Sequence, residues 1–214
     1  MVILADNDLV LKLAQCDLFD YLASMLPSEG CPVYLTQAAP YQLVKNREKA
    51  LARCGNQETL SRLENFLKTT QTLPAINNLD LLSSISEVTG IDPGEQLLFA
   101  AMSEHEGALL FTGDKRSLIA LNDCRSEFPD VYSSMQSRVV TFESILLLAL
   151  SDLGFPVLKQ KILANANPDG LLKLILRSGM SADSLEECLS SYAKPTSYFL
   201  AFREKLPTEL FGRC

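Results

Sequence analysis

Val2-Ile3-Leu4-Ala5-Asp6-Asn7-Asp8-Leu9-Val10-Leu11-Lys12-Leu13-Ala14 is the stretch whose reading decides the fold. Four apolar residues run without a break and stop at an acid, the pattern of a short strand buried on both faces. From Leu9 the apolar positions take helical spacing, continued by Leu18-Phe19-Asp20-Tyr21-Leu22, until Pro27 and Gly30 close the unit. The same grammar recurs downstream. Pro32-Val33-Tyr34-Leu35, Ala108-Leu109-Leu110-Phe111 and Arg138-Val139-Val140 each read as a short buried strand with a helix behind it.

Between these runs the helices announce their own starts. Thr36 can cap a helix that begins near Gln37 and runs through Leu43 and Ala50, with Pro40 in its first turn. An amphipathic helix spans 58–68, and Asn77-Asn78-Leu79-Asp80 opens a short one. Asp92-Pro93-Gly94-Glu95 starts a strong helix through Ala101 to His105, which Gly107 ends. Asp114 opens another, and 142–150 forms the next. Strands alternating with helices predict an α/β protein, a three-layer αβα arrangement around a central, mostly parallel sheet. Beyond residue 150 no strand-like run remains, only helical pieces near 156–165, 169–178 and 183–203. The expected organisation is therefore an α/β domain over 1–150 and a small C-terminal helical extension over 151–214.

Composition narrows the class. The 214 residues are 47% hydrophobic and 21% charged, the balance of a folded globular chain. No apolar stretch reaches the roughly eighteen residues of a membrane span, and the first residues lack a basic leader, so the expected compartment is the cytoplasm. Six scattered cysteines without a CxxC pair, and His105 as the one histidine, exclude a zinc site of the Cys/His kind and predict free thiols. The net charge of −7 opposes binding of nucleic acid over the whole surface. Such a ligand would need a local basic patch, or the acids themselves hold a cation.

In a parallel sheet, ligands gather outside the carboxyl ends of the strands. Three acids fall there: Asp6 after the first strand, Asp114 after the strand at Ala108-Leu109-Leu110-Phe111 with only Thr112-Gly113 between, and Glu95 in the first turn of the preceding helix. Converging carboxylates repel unless a cation neutralises them. An all-oxygen set suits Mg²⁺ or Mn²⁺, which activate water and clamp phosphoryl oxygens. Each acid also has a plainer reading. Asp6 or Asp8 can cap the first helix, Asp114 the helix it precedes, and Asp92-Pro93-Gly94-Glu95 is close to a capping box.

Here a family resemblance enters. The opening strand–Asp–helix, the helix start Asp92-Pro93-Gly94-Glu95-Gln96-Leu97-Leu98-Phe99-Ala100-Ala101, and Leu109-Leu110-Phe111-Thr112-Gly113-Asp114-Lys115 together resemble the PIN-domain nucleases over about residues 1–145. The resemblance implies a Mg²⁺- or Mn²⁺-dependent ribonuclease acting on single-stranded RNA, with Asp6, Glu95 and Asp114 as metal-binding catalytic acids. It further implies a possible toxin-type role, with an antitoxin or other protein partner, or a homo-oligomer. The family's Glu on the helix after the second strand is replaced by Gln42, which supplies an oxygen but no charge. Glu48 lies further along that expected helix and faces elsewhere. Asp8 stands where the family often has Asn and can restore part of the charge. Lys115, Arg116, Lys45 and Arg47 are the candidate phosphate contacts. His105, at the far end of its helix, is not expected to act.

Two alternatives stand beside this. The Gln42 replacement and the acidic surface also fit a PIN-like fold that has lost catalysis and serves as a binding or assembly module. Leu171-Leu172-Lys173-Leu174-Ile175-Leu176 could then pack on the domain or on a second subunit. Asp6-Asn7-Asp8 also looks like the nucleophile motif of haloacid-dehalogenase-like phosphatases, with Asp8 as general acid. That family's Gly-rich turn and Thr after the second Asp are absent here.

Overall fold

The computed structural model describes residues 2–26, 31–163, 171–173 and 181–212. Five strands form one sheet: β1 (Ile3–Ala5), β2 (Val33–Leu35), β3 (Gln71–Thr72), β4 (Leu109–Thr112) and β5 (Val139–Thr141), in the order β3-β2-β1-β4-β5. Every pairing is parallel, with Ile3 opposite both Val33 and Leu109, and Leu110 opposite Val139. Parallel neighbours need crossovers, and the helices supply them. They are α1 (Asn7–Gln15), α2 (Phe19–Met25), α3 (Ala39–Val44), α4 (Arg47–Cys54), α5 (Gln57–Thr69) and α6 (Leu79–Ser86) in the first half of the chain. α7 (Pro93–Glu104), α8 (Lys115–Asp123), α9 (Pro129–Met135), α10 (Phe142–Leu153), α11 (Phe155–Leu163) and α12 (Ala182–Ala193) follow.

Alternation along each strand divides the core in two. Ile3, Ala5, Leu109, Phe111 and Val140 face one cluster, built with α1, α5, α10, α11 and α12. Leu4, Leu110 and Val139 face the other, built with α6, α7, α8 and α9. Burial on both faces is why the strands read as continuous apolar runs. The result is a mixed α/β protein with helices on both faces of an all-parallel sheet, which fits a three-layer αβα fold.

Three features depart from the sequence reading. The helix expected from Gln37 through Ala50 is two helices, α3 and α4. The chain breaks at Lys45-Asn46, where the Asn46 side chain accepts from the Lys49 N–H at 2.9 Å and caps α4. Glu48 therefore belongs to a different helix from Gln42. β3 and α9 were not anticipated. The turn at Pro27 and Gly30 lies outside the described residues.

The 151–214 segment shares the main core. Leu158, Ile162, Leu171, Leu172, Leu185 and Leu189 are buried in the same cluster as Ile3 and Leu9. Leu200 adds a parallel bridge beside Val139, and the Ala201 N–H donates to the Val139 carbonyl at 2.8 Å, extending the β5 edge. The described part of the apolar run at 171–176 thus packs on its own domain, while 174–176 lie outside the described residues. Cys54, Cys124 and Cys188 are free thiols. Among the described residues no helix is long and apolar enough to cross a membrane.

Candidate metal centre

From β1 the chain steps outward through β2 and β3, then returns to the other side of β1 as β4 and β5. That reversal opens a crevice at the carboxyl ends of β1 and β4, the place where open α/β sheets bind ligands. Asp6 leaves β1 and Asp114 follows β4, so both acids stand at its mouth. The two strand ends are tied together. The Asp6 N–H donates to the Phe111 carbonyl at 2.8 Å, and the Gly113 N–H approaches Asp6 Oδ2 at 3.4 Å. A Cβ at Gly113 would come within 2.6 Å of Asp8 Oδ2, so any larger residue there would displace the exposed Asp8 side chain.

The third wall is the start of α7. Asp92 Oδ1 accepts from the N–H groups of Gly94 (2.8 Å) and Glu95 (3.1 Å), with Pro93 in the first turn. This cap turns Glu95 inward, where it is 4% exposed. One oxygen from each of Asp92, Glu95 and Asp114 lies within 4.8 Å of the other two. Glu95 Oε2 is buried without any hydrogen-bond partner. An orphaned buried carboxylate oxygen costs about 1–3 kcal/mol or more, and a bound cation is the direct way to satisfy it.

The electrostatics agree with this crowding. Burial pushes the Glu95 carboxyl up to about 9, helped by its hydrogen bond to Asp92 and by the nearby Asp6 and Asp92 charges. Burial also raises Asp6. Asp92 moves down, first because of its hydrogen bond with Glu95, so the proton of that pair rests on Glu95. Oxygen-only donors with concentrated negative charge suit a hard divalent cation such as Mg²⁺ or Mn²⁺. The residues present fit such an ion, and the donor set alone does not choose between metals.

The capping reading is half true. Asp92 and Asp114 do cap α7 and α8: Asp114 Oδ1 accepts from the Arg116 N–H at 2.8 Å. In both, the backbone cap bonds fall on Oδ1, so the second oxygen is not used by the cap. Asp6 occupies the N-cap position of α1, yet its side chain makes no capping bond there.

The other expected residues scatter. Asp8 is exposed and pairs with Lys12 at 2.8 Å, outside the cluster. Gln42 Oε1 accepts from Asn7 Nδ2 at 2.6 Å. Arg116 stays at the rim, with Nε 3.4 Å from Asp114 Oδ1. Lys115 turns away into an ion pair with the buried Glu143 (2.9 Å) and donates to the Tyr192 carbonyl (3.1 Å). Arg47 is held by Glu64 at 2.7 Å. Lys45 lies over the Tyr41 ring. His105 stacks on Tyr34, 6.5 Å between ring centroids, at the opposite end of α7.

Sequence reasoning missed two participants. Asp92 was read only as a cap, although its spacing of three from Glu95 puts both on one helical face. Arg53 gave no signal, because its place depends on the α3–α4 break. Its guanidinium donates to the carbonyls of Gln42 (2.7 Å) and Leu43 (2.8 Å). Beside the cluster runs a groove of about 910 Å³ lined by Asp6, Asp92, Gln42, Tyr41, Arg53 and Leu97 among others. No family model, curated protein or solved structure matches the chain.

Proposed function

We propose that the protein is a PIN-like, divalent-metal-dependent ribonuclease acting on single-stranded RNA. The observation that carries this reading is the unpartnered, buried Glu95 Oε2 clustered with Asp92 and Asp114, with the Asp6 charge nearby, at the β1/β4 crevice. Glu95, Asp92 and Asp114 would hold the ion, with Asp6 adding charge beside them. A bound Mg²⁺ or Mn²⁺ would supply an activated water and a clamp for phosphoryl oxygens. The chain's own residues set the stage for it. The α7 cap orients Glu95, the turn after β4 delivers Asp114 to the cluster, and Arg116 stands at the rim where a phosphate would approach.

One contact favours a second reading, a binding module without catalysis. The amide that replaces the family's Glu is tied to Asn7, so this side of the groove adds no charge toward a metal. Activity separates the two. A random-sequence single-stranded RNA pool is incubated with Mn²⁺ and the wild-type, Asp6→Asn or Asp114→Asn protein. The nuclease reading expects cleavage that needs the metal and falls at least a hundredfold in both variants. An uncut pool favours the binding module, and cleavage indifferent to both substitutions removes the site from the chemistry.

A further inference from the structure

The groove has a second end that the acid cluster does not explain. Tyr41 on α3 is 63% exposed. Lys45, one turn further on, places its ammonium 3.7 Å from the Tyr41 ring centroid. One face of the ring is thus covered by a cation, and its exposure leaves the opposite face open. Tyr41 lines the same groove as Asp6 and Asp92, and Leu11, Pro93 and Leu97 contribute apolar wall to it. Arg53 lines it too, anchored on the carbonyls of Gln42 and Leu43.

A chain of net charge −7 therefore places an exposed aromatic ring backed by a cation, together with Arg53, at the same groove as the carboxylates Asp6 and Asp92. Exposed aromatics beside basic groups are how proteins hold single-stranded nucleic acid, because every base offers a π-face and every linkage a charge. A cation behind the ring adds to its electrostatic interactions. We propose that Tyr41, backed by Lys45, is a stacking platform for an unpaired base of single-stranded nucleic acid, with Arg53 and Lys45 facing the adjoining phosphates. The inference deepens the nuclease reading and rests on it: the base sits at one end of the groove and the backbone runs toward the carboxylates.

The test uses a single-stranded RNA 12-mer carrying 2-aminopurine, with Ca²⁺ in place of Mn²⁺. Affinity is read by anisotropy and stacking by quenching of the base. A stacked base contributes about 1–3 kcal/mol, so Tyr41→Ala should weaken binding about fivefold or more and relieve the quenching. Tyr41→Phe should keep both within twofold. Equal affinity and quenching in wild type and Tyr41→Ala would overturn the platform, as would failure of the wild type to bind the oligonucleotide. A parallel Mn²⁺ titration keeps the two claims apart. Loss of Mn²⁺ binding by the wild type counts against the metal centre, whereas Tyr41→Ala should leave Mn²⁺ affinity unchanged.

Discussion

Two carboxylate sites in this molecule follow opposite logic. At the α1–α2 junction, Asp17 adopts a left-handed backbone (φ 52°) and is met by two cations, Arg62 Nε at 2.7 Å and Lys161 Nζ at 2.9 Å. Lys161 also donates to the Asp17 carbonyl at 2.7 Å, so the node ties α11 to the N-terminal unit. At the β1/β4 crevice, Asp92, Glu95 and Asp114 converge with Arg116 at the rim, and one buried oxygen is left without a partner. The first site is complete within the chain and serves structure. The second leaves that oxygen unpaired, and the proposed cation would complete it. Neutralisation, not the mere presence of acids, separates a structural node from a ligand site.

The sharpest way to break this contrast is to remove one acid from each site and read Mn²⁺ affinity. Glu95→Gln should lower it at least a hundredfold, and Asp92→Asn at least tenfold, while Asp17→Asn should change it less than twofold. Isothermal titration calorimetry checks all three. Stability should report the reverse. Asp17→Ala loses two half-exposed ion pairs and puts a β-carbon residue without a helpful polar group at positive φ, at a combined cost of about 1–2 kcal/mol in urea unfolding.

pH separates the sites further. Glu95 titrates near 9 in the folded protein, against an ordinary 4.5. Between those values the folded state holds a proton that the unfolded state has released, so stability falls as pH rises through that window. Asp6, also raised, acts in the same direction, and Asp92, lowered, opposes it. Metal-free wild type should therefore lose stability from pH 5 to pH 9. Glu95→Gln should flatten that slope, with a gain of about 1–3 kcal/mol at the alkaline end. Thermal unfolding in EDTA across the range is the check. By the same linkage, Mn²⁺ must displace the Glu95 proton, so its affinity should rise with pH toward 9. The smallest effect belongs to Asp8. Asp8→Asn breaks one exposed pair with Lys12 and should cost under about 0.5 kcal/mol and under threefold in Mn²⁺ affinity.

Much of this was legible in the sequence, for physical reasons that can be named. Ile3, Leu4 and Ala5 are buried on both faces, so β1 had to be an unbroken apolar run, and the same holds for β4 and β5. β3 escaped because Gln71 and Thr72 are exposed at the sheet edge and carry no apolar signal. The α3–α4 break escaped because apolar periodicity continues across it, although Asn46 was a visible cap. At the site, Glu95 and Asp114 followed from their positions in a helix's first turn and after a strand end, whereas Asp6 is not a member of the cluster that Asp92, Glu95 and Asp114 form. Asp92 was hidden because one residue performs two tasks: Oδ1 caps the helix while its carboxyl joins Glu95 and Asp114 in the cluster. The fate of Lys115 was beyond local reading, since Tyr192 lies 77 residues away in sequence.

The central claim is that the β1/β4 crevice is a cation site held by Asp92, Glu95 and Asp114. Its most direct test is a calorimetric titration of Mn²⁺ at pH 8 into wild type, Asp92→Asn and Asp114→Asn, in two buffers of different ionisation enthalpy. The account predicts one saturable site with proton release on binding, weakened at least tenfold, about 1.4 kcal/mol, in each variant. No saturable binding, or binding that ignores both substitutions, would contradict it and leave these acids as caps of α7 and α8.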